Sequence, residues 1–107
     1  MATMRDQLNS ARCSRFLKAL AEPERLRIVQ VLQPGPLDVG AISERLHSPT
    51  ANVSHHLKQL RIAGLVTARK QGRHVIYTLA KRVLSPGEKG SGDVLDFGCC
   101  RLELGQK

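Results

Sequence analysis

Tryptophan is missing from this chain of 107 residues, and its aromatic residues number three: Phe16, Tyr77 and Phe97. Proteins that hold single-stranded nucleic acid stack bases on aromatic platforms, so that class of binder is set aside. No apolar run approaches the roughly 18 residues that a membrane-spanning helix needs, and no signal-type apolar stretch follows the initial Met. The expectation is a soluble, cytoplasmic protein with no membrane partner. Cysteine is scarce, with Cys13, Cys99 and Cys100 alone. Three is an odd number, and without an export signal it argues against structural disulfides. The most informative absence is local. Between His47 and Arg82 there is no Asp or Glu, whereas seven Lys or Arg and all four His lie there.

The net charge of +8 is therefore segregated rather than spread. A segregated basic surface points to a phosphate-bearing partner, and nucleic acid is favoured over a membrane surface. A chain of this length makes one small domain, which gains from the extra core that a dimer shares. There is no Gly-rich phosphate loop, no pair of carboxylates at catalytic spacing and no Cys–His dyad, so an enzyme is not expected.

Thr3 to Leu20 reads as a first helix with Leu8, Phe16, Leu17 and Leu20 on its apolar positions. Glu22-Pro23 breaks it, and Pro23 suits the first turn of a second helix that buries Leu26, Ile28, Val29 and Leu32. Pro34-Gly35-Pro36 forces a turn. Asp38 can cap a short third helix, Val39 to Leu46, buried through Val39, Ile42 and Leu46. A fourth helix has Ser48 as its expected N-cap, Pro49 at its first position and Gly64 as its left-handed stop. Val53, Leu57 and Leu60 form its buried stripe. Leu65 to Lys70 and His74 to Leu79 then read as two strands joined at Gln71-Gly72-Arg73.

This order, helix–turn–helix followed by a hairpin, predicts a mainly α fold with a small β-hairpin wing (α+β), a dimeric winged helix-turn-helix spanning residues 1–82. Residues 83–107 are expected to be a flexible linker, Ser85 to Gly92, and a C-terminal arm whose Leu102-Glu103-Leu104 alternation favours extended backbone. The major groove of DNA admits one helix, whose first side chains meet base edges while the wing touches the backbone. Thr50, Asn52, Ser54 and His55 are short hydrogen-bonding residues at the start of the fourth helix. Lys58, Arg69, Lys70 and Arg73, with Gln71 and Gly72 at the hairpin tip, suit phosphate contacts. Taken singly, residues here have plainer readings: Lys58 as a solvated face, Asn52 as local capping, His56 as packing or a phosphate contact and not a base reader. Agreement among helix limits, charge segregation and hairpin tip favours the DNA-binding one.

The segments Leu20-Ala-Glu-Pro-Glu-Arg-Leu-Arg-Ile-Val29, Val53-Ser-His-His-Leu-Lys-Gln-Leu60, Ala63-Gly-Leu-Val66 and Gly72-Arg-His-Val-Ile-Tyr-Thr-Leu79 resemble the ArsR/SmtB family of bacterial winged-helix repressors. The resemblance runs from about Phe16 to Leu79. It implies a homodimer that binds an inverted-repeat operator on double-stranded DNA and leaves it when an effector arrives. It also implies recognition-helix contacts at Thr50, Asn52, Ser54 and His55, wing contacts at Lys70, Gln71, Gly72 and Arg73, and a dimer interface on the first helix. Two of the family's usual metal sites lack ligands here. Asp38 and Gly40 stand where a Cys-Val-Cys motif would place its thiolates, and no His follows His74.

Cys99 and Cys100, with Cys13 as a third sulfur, remain as candidates for sensing a thiophilic ion such as As(III), Zn(II) or Cu(I). Neighbours in extended backbone point to opposite faces, so both need not reach one ion. A redox switch is a second reading, with thiolates favoured by Arg101, and simple packing is a third. At the level of function, the alternative to an effector-released repressor is a winged-helix regulator controlled by a partner protein alone. A winged helix recast as a protein–protein module would show an apolar or acidic recognition face, and this face is neither.

Overall fold

Prolines and a capping aspartate set the helix limits in the computed structural model, which describes residues 10–85 and 94–103. Helix α1 covers Ser10–Leu20 and buries Cys13, Phe16, Ala19 and Leu20. The expected start at Thr3, and Leu8 with it, lies outside the described residues. Leu17 is 48% exposed, contrary to its expected place on the apolar face. The reason is angular: adjacent helical residues diverge by about 100°, and the larger Phe16 ring takes the inward direction. Helix α2, Pro23–Leu32, starts after an extended Glu22 with Pro23 in its first turn. After the short strand β1, Leu37–Asp38, helix α3 spans Val39–Leu46, and Asp38 Oδ1 accepts a hydrogen bond from the Ala41 N–H at 2.8 Å. It ends at His47, which adopts the left-handed conformation with φ of 54°.

Helix α4 covers Thr50–Ile62. Its N-cap is Pro49 and not Ser48: the Pro49 backbone is extended, and its carbonyl accepts from the N–H groups of Asn52 and Val53 at 3.0 and 3.1 Å. Ser48 is drawn to the preceding helix, where its own carbonyl accepts a hydrogen bond from the Ser43 hydroxyl. At the other end Gly64, with φ of 87°, closes the helix as expected. The Gly64 N–H donates to Arg61 and the Leu65 N–H to Leu60, both at 2.9 Å, which is the bonding pattern of a Schellman stop. Val53, Leu57 and Leu60 are fully buried, as their spacing predicted.

Strands β2, Val66–Gln71, and β3, His74–Leu79, pair antiparallel from Val66–Leu79 to Gln71–His74. Gly72 has φ of 63° in the two-residue turn, the requirement of the first central position of a type II′ hairpin. Strand β1 lies on the other side of β3, giving the order β1-β3-β2.

A 3-10 turn at Lys81–Val83 leads into β4, Leu84–Ser85; β5, Val94–Asp96, and β6, Arg101–Glu103, complete a second antiparallel sheet in the order β4-β5-β6. Most of the expected linker, residues 86–93, lies outside the described residues. Leu95 and Phe97 join the same core as Ile28, Ile42 and Leu57. The Phe97 ring stacks on Phe16 with centroids 4.6 Å apart. Cys13 and Cys99 form a disulfide, their Cα atoms 6.5 Å apart, so the expectation of none is corrected. Cysteine number and export signals carry no information on which residues folding brings together. Here the stacked rings seat the β5–β6 turn on α1.

Candidate nucleic-acid interface

Thr50, Asn52, Ser54, His55 and Lys58 all lie exposed on α4, whose opposite stripe is sealed into the core. The first turn of α4 carries no acidic side chain, so its free N–H groups and the positive end of its dipole face outward unopposed. Arg69, Lys70, Gln71, Gly72 and Arg73 are exposed at the end of the β2–β3 hairpin. The ladder from Gln71–His74 through Lys70–Val75 to Arg69–Ile76 holds that basic tip in one register.

Two polar contacts that the sequence did not reveal orient these elements. Asp38 uses both carboxylate oxygens: Oδ1 caps α3, while Oδ2 lies 2.9 Å from Nδ1 of His74. One side chain thus ties the hairpin to the start of the helix-turn-helix, and His74 is engaged internally beside the basic tip. Arg25 is the second. Its Nε donates to Nδ1 of His56 at 3.1 Å and its Nη1 to the Ala19 carbonyl at 3.3 Å, with Glu22 beside both residues at 4.0 Å. A His nitrogen that accepts a hydrogen bond carries no proton, so Nδ1 is the bare nitrogen of this imidazole. His56 is therefore a half-buried anchor joining α4 to α1 and α2. The signal in the sequence was slight: an inward-leaning His and an Arg in the first turn after a proline.

The three cysteines meet where the β5–β6 turn lies on α1. Their Sγ atoms all lie within 4.8 Å of one another, with Cys13 buried, Cys99 half-buried and Cys100 exposed. Among the described residues no helix is long and apolar enough to cross a membrane.

With this geometry in place, similarity to known proteins is informative. The family described as "Bacterial regulatory protein, arsR family" matches residues 22–68, from the start of α2 into β2. The chain is 43% identical over 72 residues to the transcriptional activator HlyU of Vibrio cholerae, covering 67% of each protein. The solved HlyU structure superposes with a TM-score of 0.65 over 67% of this chain and 78% of that one. Over 70 residues it is also 43% identical to the HTH-type transcriptional repressor SmtB of Mycobacterium tuberculosis, covering 65% of this chain and 52% of SmtB. A solution structure of the homodimeric winged helix-turn-helix DNA-binding domain of Mb0332 from Mycobacterium bovis, 34% identical, superposes with a TM-score of 0.63 over 65% of both chains. The shared region contains α2, α3, α4 and the start of the wing.

Proposed function

The chain belongs to the arsR family of bacterial regulatory proteins, winged helix-turn-helix regulators of transcription rather than enzymes, and from that premise we propose that it is a homodimeric repressor acting in the cytoplasm on an inverted-repeat operator. In this reading α4 enters the major groove. Thr50, Asn52, Ser54 and His55 read base edges, while Lys58, Arg69, Lys70 and Arg73 contact phosphates beside Gln71 and Gly72. The observation that carries it is that all of these side chains are exposed on α4 and the hairpin, along a stretch from His47 to Arg82 that contains no Asp or Glu.

Leu17, half exposed on α1, supports that helix as the dimer interface. Two copies related by a two-fold axis present two recognition helices, which matches an operator whose half-sites are inverted. Repression is the sign in the name of the SmtB relative, whereas HlyU is named an activator. A reporter driven by the bound promoter, with and without the protein, distinguishes the two.

The direct test is fluorescence anisotropy on labelled DNA from upstream of the chain's own gene, measured across salt concentrations. Sequence-specific binding whose logarithm falls linearly with the logarithm of salt is expected, because each phosphate contact releases counterions. Equal affinity for unrelated duplexes would remove the operator reading and leave a non-specific binder.

A further inference from the structure

A second basic surface lies at the end of the hairpin away from its tip. A cleft of about 460 Å3 there is lined by Arg61 in the last turn of α4, Thr67 near the start of β2, and Lys81 and Arg82 in the 3-10 turn after β3. Thr67 precedes Gly72 by five residues, a separation of roughly 17 Å in a strand that rises ~3.3 Å per residue. We propose that this cleft is a binding site for a small organic anion carrying two or three negative charges on carboxylate or phosphate groups.

Unmet charge carries the argument. Arg61, Lys81 and Arg82 are exposed, no Asp or Glu lines the cleft, and among the described residues none of the three has an ion pair or a hydrogen bond. Three cations around one concavity repel one another until an anion enters. Other arginines are answered within the fold: Arg27 lies 3.8 Å from Glu24, and Arg101 lies 3.8 Å from Asp96. The groove beside Ile62 also gathers Arg15, Lys18 and Arg25, but there Arg25 is already engaged by Glu22 and His56. Nor are the cations of the cleft needed to cap α4. The carbonyls of Gln59, Leu60 and Arg61 already accept from the N–H groups of Ala63, Leu65 and Gly64.

The donors select the class of anion. Planar guanidinium forks match the paired oxygens of carboxylate and phosphate, and an ammonium adds a third point of charge. The cleft is of the size that small-molecule sites have, larger than one inorganic ion fills. Its remaining lining, Gly64 and Val66 included, is uncharged and suits the carbon skeleton between the charged groups. The site also touches α4. A Cβ added at Gly64 would lie 3.5 Å from Nη2 of Arg82, so that guanidinium sits beside the residue that closes the helix.

The test is amide-resolved NMR of the full chain, titrated with citrate and separately with fructose 1,6-bisphosphate, at constant ionic strength so that general screening stays fixed. The readout uses free protein, so it succeeds or fails independently of the DNA-binding reading. Saturable shifts at Gly64, Thr67, Lys81 and Arg82 are expected from at least one probe, and the stronger probe separates a carboxylate ligand from a phosphate one. Lys81→Gln and Arg82→Gln, both at exposed positions, should keep the circular dichroism of the parent. Each should weaken binding about ten-fold or more, the loss that follows removal of a hydrogen bond to a charged group. Shifts centred instead on the first turn of α4 and residues 70–73 would overturn the proposal. So would the absence of saturable shifts with both probes, or an affinity that Lys81→Gln and Arg82→Gln leave intact.

Discussion

His47 and Gly64 meet the same backbone requirement with opposite chemistry. Both adopt positive φ at the end of a helix, 54° at His47 and 87° at Gly64. A side chain in the left-handed region costs about 1–2 kcal/mol. Accordingly His47→Gly should raise stability in urea unfolding by roughly 1 kcal/mol, and Gly64→Ala should lower it by about as much. The atoms nearest an added Gly64 Cβ are at 3.5 and 3.8 Å, ordinary contact, so strain and not collision governs that loss. Asp38 works at the same scale with two tasks. Asp38→Ala removes the cap on α3, for an expected cost of about 1 kcal/mol, and frees His74 at the hairpin. Faster amide exchange in β3 would register the second effect; unchanged exchange would show that the strand ladder holds the wing unaided.

At the scale of elements, the proposed reading assigns α4 and the wing different tasks. Replacing Lys70 and Arg73 together by Ala should weaken binding to all duplexes alike and reduce the salt slope by about 2. Asn52→Ala should instead cost about 1–3 kcal/mol on the operator and little on unrelated DNA, relaxing sequence preference. Anisotropy on both duplexes separates these outcomes, and a uniform loss from Asn52→Ala would reassign that residue to the backbone. The β5–β6 hairpin depends on one ring. Phe97 is buried against Phe16, and Phe97→Ala should cost about 3–5 kcal/mol in thermal or urea unfolding.

For the whole molecule the decisive quantity is its association. Leu17 is the one large apolar side chain of α1 that the described fold leaves open, at 48% exposed. Leu17→Glu should shift the sedimentation profile from dimer to monomer while the circular dichroism of the monomer stays intact. Operator affinity should fall with it, because one half-site then binds without the other. An intact dimer in that variant would move the interface off α1.

Helix limits, buried stripe and basic surface were legible because each depends on residues close in sequence. Asp38 precedes the helix that it caps, Val53, Leu57 and Leu60 repeat at one helical period, and acid is absent from a continuous run. Local signals misled where two neighbours competed, as Ser48 and Pro49 did for the cap and Phe16 and Leu17 for the core. What only the tertiary structure decided involves residues far apart. Arg25 finds His56 31 positions away, and Cys13 finds Cys99 86 positions away. No periodicity spans such separations, because the side chains meet only after α1, α4 and the C-terminal hairpin close on one core. The charge segregation and the limits and buried stripe of α4 were thus written in local sequence. The cysteine cluster exists because stacked rings and one left-handed glycine turn the chain's end back onto its first described helix.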